Sequence, residues 1–447
     1  MEALKQAETT EKGNVTLKKT IGLIEAIMLV VGMVIGSGIF FKPSIVFKNA
    51  GSPMMGILAW VAGGVIAMAA GLTLAEIGAA IPKTGGVFVY LKELYGDIFA
   101  FLFGWVQTVI YVPGATAALA IVFATQATYF IPMTGMQQKL LAIFMIFFLM
   151  TINVISTKFG AKIQLFATIG KLIPIVVIIG CGLLMGKAHS FAAPAVGTIT
   201  GSAGFGAAIL GTLWAYDGWQ GVSSIAGELK NPKKDIPRSI IIGVSVILVV
   251  YILINVAVIN VLPMTAVVAS KKAASDVAVS LFGSGGASFI AAGIIISIFG
   301  ALNGYLMTGI RIPFAMAQDK MLPFSGFLGK VNEKYSTPLN TFVVESILAS
   351  LYVLSGSFDI LTDLATFVIW IFFTMAVAGI FILRTKFKHI ERPYTVPLYP
   401  IVPLLGIIGG VYVLVSTILT NTTNALYGIG IMITGLPVYF YIKKTSK

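Results

Sequence analysis

The sequence predicts an all-α integral membrane protein, and three observations support this fold class. The chain has 447 residues, of which 57% are hydrophobic and 11% are charged, and its mean hydropathy is +0.97. These values lie far outside the range of water-soluble globular domains. Apolar runs of roughly 20 residues, long enough to cross a hydrocarbon layer about 30 Å thick, recur along the chain. Because most connections between these runs are short, we expect one transmembrane domain over residues 1–447.

The apolar runs predict twelve transmembrane helices. They are centred near residues 34, 66, 112, 147, 172, 215, 250, 300, 346, 370, 408 and 431. Residues 1–19 are polar and contain no apolar core beside a cleavage site, so we expect a cytoplasmic tail rather than a removable signal peptide.

The basic residues are distributed unevenly between the two predicted faces of the membrane. Of the 30 lysines and arginines, few fall in the loops assigned to the outside: Lys42, Lys48, Lys139, Lys187, Lys271 and Lys272. This positive-inside pattern predicts a protein of the cell membrane with both termini in the cytoplasm. It also attributes the net charge of +13 to membrane topology rather than to nucleic-acid binding.

The reactive side chains predict neither a metal site nor a cofactor. Cys181 is the single cysteine, and the two histidines, His189 and His389, stand too far apart for a metal-binding motif. Without converging catalytic groups, we do not expect an enzyme.

The first predicted span contains an unusual interruption. It reads VVGMVIGSGIFFKPS over residues 30–44 and places Gly36, Ser37 and Gly38 in the middle of an apolar run. Glycine permits the backbone to unwind, but small residues spaced as Gly32 and Gly36 also mediate helix packing. This segment alone leaves the two interpretations open.

The sixth predicted span favours unwinding, because it contains a second interruption at the same depth. Its centre reads WAYDGW over residues 214–219, with a charged Asp217 beside Gly218. Broken first and sixth spans are typical of two inverted five-helix repeats that hold a ligand near the membrane midplane. We therefore predict repeats at residues 20–186 and 204–388, followed by two helices within 398–442.

Broken helices predict a site for a molecule that carries both an anion and a cation. The amides around Ser37 and Gly38 lie at a positive helix terminus and can hold a carboxylate. Unpaired carbonyls near Val34 and Ile35, and near Trp214 and Ala215, can accept hydrogen bonds from an ammonium. Together they outline a binding site for a free α-amino acid.

Lys171 lies deep in the fifth predicted span, roughly 20 Å of helix from either end. A charge at that depth is costly, so we expect it to face the bundle interior and to donate to carbonyls of the broken first helix. There the ammonium would replace a sodium ion. A packing role and a proton-coupling role remain as alternatives.

Other polar residues within the spans have less definite interpretations. Asp217 is expected to cap the second half of the sixth helix, with a direct ligand or proton role as the alternative. Tyr111 and Asn303 lie at mid-depth, where core filling is the default and gating the alternative. The sequence offers no physical account of Glu345.

Six motifs support a resemblance to a known family. They are VGMVIGSGIF, IPKTGGVFVYL, TIGKLIPI, WAYDGW, GELKNP and VPLYPIVP, and they extend from the first span to the eleventh. With these motifs the chain resembles the amino acid-polyamine-organocation superfamily and, within it, the L-type amino acid transporter family. It is similar to the bacterial members that exchange alanine, serine, threonine or cysteine. The resemblance implies twelve helices with a five-plus-five inverted repeat and obligate, sodium-independent exchange.

The resemblance also implies roles for individual residues. It places the substrate carboxylate on Ser37 and Gly38, the amine on carbonyls of Val34, Trp214 and Asp217, an aromatic gate at Trp214 and the sodium mimic at Lys171. Relatives that carry large substrates have glycine at the position of Asp217 and phenylalanine at that of Trp214. The bulkier tryptophan predicts a smaller pocket and hence small neutral substrates.

A covalently attached partner is not expected. Animal members of the family pair with a single-span glycoprotein through a cysteine between the third and fourth spans, and the corresponding loop here, residues 131–140, contains none. The predicted function is therefore sodium-independent exchange of small neutral L-amino acids across the lipid bilayer by alternating access. The main alternative is a proton-coupled amino acid symporter in which Lys171 or Asp217 titrates.

Overall fold

A computed structural model of the chain describes residues 21–83, 85–155, 157–187, 201–224, 229–335 and 337–445. The predicted cytoplasmic tail of residues 1–19 lies outside these ranges. Apart from two isolated β-bridges, the regular secondary structure within them is helical. The predicted all-α class is therefore confirmed.

Twenty α-helices and one π-helical segment, Gln107–Tyr111, make up the described chain. The helices are α1 (Leu23–Val34), α2 (Gly38–Ala50), α3 (Pro53–Ala80), α4 (Val87–Tyr95), α5 (Asp97–Val106), α6 (Val112–Ala127), α7 (Gly135–Ile155), α8 (Thr157–Met185), α9 (Gly201–Ala215), α10 (Gly221–Ser224), α11 (Pro232–Val261), α12 (Met264–Ala269), α13 (Ala273–Gly309), α14 (Arg311–Gln318), α15 (Ser325–Leu328), α16 (Leu339–Ser355), α17 (Phe358–Lys386), α18 (Ile401–Thr420), α19 (Thr422–Ile433) and α20 (Gly435–Thr445).

Several of these helices are long and apolar enough to cross a membrane. Within the described residues there are eight such helices, or nine when the bent pair α1 and α2 counts as one span. Shorter apolar helices at Ile169–Met185, Ser202–Ala215 and Leu339–Ser355 coincide with the other predicted centres, near residues 172, 215 and 346. The chain is therefore a multi-span membrane protein.

The predicted interruption of the first span is present. The axes of α1 and α2 differ by 48°, and Ile35, Gly36 and Ser37 separate the two helices. Glycine at position 38 is a steric requirement, because a Cβ there would lie 2.5 Å from the Cα of Ala215. The first break therefore lies directly against the end of α9.

The sixth predicted span is broken as well. Helix α9 ends at Ala215 and the next helix begins at Gly221, with turns between them. Gly218 has a φ of +116°, a conformation that favours glycine, and a Cβ there would lie 3.1 Å from the backbone of Met33. The break of the first span and the break of the sixth span therefore pack against each other.

The two faces of the bundle differ in their charged contacts. We call the face with Ile21, Lys233 and Arg384 the basic side. There Ile21 pairs with Leu229, and Lys233 forms an exposed ion pair with Glu391. We call the opposite face, at which α2 ends, the far side.

The far side contains an ion cluster around a buried lysine that corrects a topological expectation. The sequence predicts Lys42 in an outside loop, but its side chain is fully buried in α2. Its ammonium lies 3.1 Å from Asp359 and 3.0 Å from Asp363, both in α17, and 5.1 Å from the ring centre of Phe358. The cluster joins the second half of the first span to α17.

A second buried ion pair joins α3 to α17 near the basic side. The fully buried carboxylate of Glu76 accepts two hydrogen bonds from Arg384, at 2.9 and 2.7 Å. It also accepts from the backbone N–H of Val396 at 2.6 Å. All three hydrogen bonds are charge-assisted because their acceptor is a carboxylate, and the contact with the guanidinium is bidentate.

We expect Glu76→Ala to destabilise the protein strongly. The substitution leaves the Arg384 guanidinium and the Val396 amide without their acceptor, which costs about 3–5 kcal/mol for a buried pair. The free energy of unfolding in detergent micelles measures this loss. The control is Glu93→Ala, which removes the exposed pair with Lys83 and should cost less than about 1 kcal/mol. Equal losses in the two variants would contradict the prediction.

Candidate functional site at two broken helices

The amides at the start of α2 form an anion-binding group. Among the described residues, none accepts a hydrogen bond from the backbone N–H groups of Gly36, Ser37, Gly38 and Ile39. The Ser37 hydroxyl is buried and, within the same part of the chain, also lacks a partner. Helix N-termini of this kind attract carboxylates and phosphates. This cluster can therefore bind a carboxylate through several donors.

The carbonyls at the end of α1 are occupied by Lys171 from α8. Its side chain is buried, and its ammonium donates to the carbonyls of Gly32 and of Ile35, the second at 2.6 Å. The cation thus satisfies acceptors that the helix break exposes, which is the arrangement expected for a monovalent metal ion. Ile35 contributes to the site through this carbonyl.

Tyr251 from α11 links the two breaks. Its hydroxyl oxygen lies 3.0 Å from the carbonyl of Val34 and 2.9 Å from that of Ala215. A single hydroxyl proton can be donated to one carbonyl at a time, and each carbonyl keeps a second lone pair. Val34 and Ala215 therefore remain able to accept from a ligand ammonium.

Asp217 accepts hydrogen bonds from four donors. One carboxylate oxygen accepts from the backbone N–H of Gly218 and the side-chain amide of Gln220, both at 2.9 Å. The other accepts from the hydroxyls of Tyr111 and of Tyr305, the second at 3.1 Å. Gly218 lies within the break, before α10 begins at Gly221, so this contact is not a cap of that helix and the capping role stays a prediction. The carboxylate also ties the break of the sixth span to the helices of Tyr111 and Tyr305.

Sequence analysis missed two tyrosines of this site, Tyr251 and Tyr305. Both have the signal that selected Tyr111, a polar tip at mid-depth in an apolar span. Tyr251 lies at the predicted centre of the seventh span, and Tyr305 lies two residues after Asn303. Mid-depth position alone therefore does not separate site residues from core residues.

Trp214 belongs to an aromatic cluster above the site. Its ring is stacked on Tyr305 with centroids 6.3 Å apart, and it contacts the edge of Phe358 at the same separation. Phe358 in turn packs on Phe41 at 6.0 Å. Because Phe358 also lies beside Lys42, the aromatic cluster joins the site to the ion cluster of the far side.

A small cavity lies between the two breaks. It is lined by Met33, Val34, Gly36, Ser37, Gly38, Leu119, Trp214, Asp217, Ala301 and Tyr305. Its volume of about 10 Å³ is the room of a single water molecule. A larger occupant requires the aromatic side chains around it to move.

A second cavity of about 180 Å³ adjoins the first and reaches the basic side. The two cavities share Met33 and Tyr305. Gly218 and Tyr111 also line the larger one, whose wall extends to Arg311 at the start of α14. The site is thus accessible from the basic side and covered by the aromatic cluster on the far side.

Two residues considered from the sequence lie apart from both cavities. The side chain of Asn303 is fully buried and accepts a hydrogen bond from Asn153 at 2.8 Å, a contact between α13 and α7. Glu345 is buried in α16, and neither carboxylate oxygen has a partner among the described residues. Neither side chain lines the small or the large cavity.

The arrangement is suited to a ligand with neighbouring opposite charges. Gly36, Ser37 and Gly38, whose backbone N–H groups are unpaired among the described residues, line the small cavity, and Val34 lines it as well. The carbonyls of Gly32 and Ile35, which a metal ion would need, are taken by Lys171. The geometry therefore brings together unpaired backbone N–H groups, backbone carbonyls and a buried lysine side chain.

The chain is similar to known amino acid transporters. The chain is 43% identical over 429 residues to the serine/threonine exchanger SteT of Bacillus subtilis (strain 168), covering 96% of this chain and 98% of that protein. It is 31% identical over 451 residues to the human b(0,+)-type amino acid transporter 1, covering 98% and 90% of the two chains. It is 30% identical over 446 residues to the human large neutral amino acids transporter small subunit 2, covering 96% and 81%.

The resemblance found in the sequence motifs is confirmed by these relatives. The model of the amino acid permease family matches residues 21–440, a range that includes both broken helices and Lys171. This chain therefore belongs to the amino acid permease family.

Proposed function

We propose that the protein is a sodium-independent exchanger of small neutral L-amino acids that works by alternating access in the cell membrane. One observation carries the proposal. Two broken helices meet around a small cavity, with unpaired amides at Gly36 to Ile39 on one side and a buried ammonium, Lys171, on the carbonyls of the other. The similarity to a serine/threonine exchanger supports the same reaction.

Each end of an amino acid has a matching group in the site. The substrate carboxylate binds the amides and hydroxyl of Ser37 and Gly38, and its ammonium binds the carbonyls of Val34, Trp214 and Asp217. Trp214 covers the substrate and, with Leu119 and Ala301 also lining the cavity, restricts it to a small side chain once the aromatic side chains have moved to admit it. Alanine, serine, threonine and cysteine meet this limit.

Lys171 provides the charge that a sodium ion supplies in sodium-coupled transporters. Its ammonium is covalently held and stays on the carbonyls of Gly32 and Ile35, so closure of the first helix needs no ion from solution. Binding of the zwitterion then favours the closed state through its differential contacts with both breaks. Obligate exchange follows when the empty carrier does not close.

The conformation described is open toward the basic side. The cavity of about 180 Å³ leads there, whereas Lys42, Asp359 and Asp363 and the aromatic cluster seal the far side. With both termini in the cytoplasm, as the positive-inside pattern predicts, this is an inward-facing state. Opening to the outside requires the Lys42 ion cluster to separate.

The proposed architecture has twelve spans. The nine spans counted by length, together with the three shorter apolar helices, account for them. Residues 20–186 and 204–388 form two inverted five-helix repeats, and residues 398–442 add two helices. We also propose that the protein functions without a glycoprotein partner, because residues 131–140 contain no cysteine.

The alternative, a proton-coupled symporter, has less support from the site. Asp217 has the hydrogen-bond pattern of an ionised carboxylate, because each of its two oxygens accepts from two donors. Lys171 likewise donates to two carbonyls. Both groups thus have structural hydrogen-bond partners in this conformation, which supports a fixed role for each of them.

Exchange can be measured with protein purified from a host that lacks the glycoprotein and reconstituted in vesicles. We expect uptake of labelled serine only when unlabelled serine is trapped inside, with the same rate when choline replaces sodium. Uptake into empty vesicles driven by an inward proton gradient would instead favour the symporter. Inactivity that is restored by adding the glycoprotein would contradict the proposal on partners.

Lys171→Met should reduce exchange by at least about tenfold. The substitution removes two hydrogen bonds from a charged donor and leaves two buried carbonyls without a hydrogen-bond donor. Because the substitution impairs closure of the first helix more than the initial binding of substrate, the maximal rate should fall more than the apparent affinity. The control is Lys139→Met, which removes an exposed ammonium from the carbonyl of Leu354. A Lys171→Met variant as active as the control would show that no internal cation is needed.

Ser37→Ala should weaken substrate affinity without affecting the protein's stability. The hydroxyl has no partner among the described residues, so its loss costs the fold little. Its loss should raise KM for serine by roughly 3- to 10-fold, the value of one hydrogen bond, because the amides remain. Ser44→Ala, which removes a hydroxyl bound to the Phe41 carbonyl in the same helix, should leave KM unchanged. An unchanged KM in Ser37→Ala would exclude the hydroxyl from the carboxylate site.

A further inference from the structure

We propose that Tyr352, which lines neither cavity, is a positioning residue that maintains the π-helical segment Gln107–Tyr111 and thereby places Tyr111 on Asp217. Tyr352 lies in α16, and its hydroxyl donates to the carbonyl of Val109 at 2.8 Å. This is a contact between a peripheral helix and the one irregular turn of the span that carries Tyr111.

The π-helical segment has a local cause in the sequence. Val112 donates its backbone N–H to the carbonyl of Gln107, five residues earlier, which is the π-helical pattern. An α-helical hydrogen bond to Val109 would come from residue 113, but this residue is Pro113 and has no N–H. The hydroxyl of Tyr352 supplies the donor that the proline lacks.

The same segment supplies two residues to the site. Gln107 and Tyr111 both line the larger cavity, and the Tyr111 hydroxyl donates to Asp217. A π-helical turn contains one more residue than an α-helical turn, so its presence determines the direction in which Tyr111 points. A change in this turn therefore changes a hydrogen bond at the break of the sixth span.

Tyr352 is connected to the substrate site through this segment. Its hydroxyl donates to the Val109 carbonyl, and Tyr111 lies two residues further along the chain. Loss of the Tyr352 hydroxyl removes the hydrogen bond to Val109 that favours the π-helical segment. We expect the segment to relax and the contact between Tyr111 and Asp217 to weaken, with little loss of buried apolar surface.

The test uses Tyr352→Phe in reconstituted vesicles and rests on the proposed function, since its readout is serine exchange. We expect KM for serine to rise by about 3- to 10-fold, as for loss of one hydrogen bond, with the maximal rate and thermal unfolding nearly unchanged. The matched control is Tyr129→Phe, which removes a hydroxyl from the carbonyl of Ser284 remote from both cavities. The control should retain the KM of the unmodified protein.

A double-mutant cycle identifies the route of the effect. If Tyr352 acts through Tyr111, Tyr352→Phe should cause no further rise in KM in the Tyr111→Phe background. In a Pro113→Ala background the backbone can supply the missing N–H to Val109, and Tyr352→Phe should again have no effect.

Three outcomes would overturn the inference. They are a KM for Tyr352→Phe equal to that of the Tyr129→Phe control, an additive rise in the Tyr111→Phe background, and a persistent rise in the Pro113→Ala background. Failure of the unmodified protein to exchange serine would instead contradict the proposed function. The two failures are therefore distinguishable in the same set of vesicles.

Discussion

The structure depends on one constraint, the need of every buried backbone N–H and C=O group for a partner within the membrane. Breaking the first span at Ile35 to Ser37 exposes carbonyls at the end of α1 and amides at the start of α2. Lys171 and Tyr251 satisfy the carbonyls, whereas the amides of Gly36 to Ile39 have no acceptor in the described chain. The amides are thus wholly available to a carboxylate, whereas the carbonyls of Val34 and Ala215 share one hydroxyl donor and keep a lone pair for an ammonium.

Close backbone contact makes the two breaks behave as one unit. Gly38 lies on Ala215 at a distance that excludes a Cβ, and Gly218 lies on Met33 at a distance that leaves a Cβ little room. Tyr251 contacts carbonyls of both breaks. A movement of α1 must therefore be accompanied by a movement of the sixth span, and this coupling is what alternating access requires of two half-helices that share a ligand.

Residues outside the site decide which face of the bundle is closed. On the far side, Lys42 and its two aspartates hold α2 to α17, and Phe358 transmits that contact to Trp214. Near the basic side, Glu76 and Arg384 hold α3 to the same helix. Helix α17 thus has charged attachments near both ends, and only the far-side attachment borders the site.

The membrane class, the two broken spans and the contact of Lys171 with carbonyls of the first helix can all be predicted from the sequence, because each follows from local rules. Hydropathy, glycine beside a polar residue at mid-depth, and a charge too deep to reach an interface need no knowledge of neighbours. Tertiary structure decided the rest. It paired Asp217 with Tyr305, placed Tyr251 across both breaks, buried Lys42 on α17 and put Asn303 outside the cavities. These outcomes depend on which helices lie side by side, and hydrophobic helices in a bilayer carry little local signal of their partners because lipid and protein surroundings are similarly apolar.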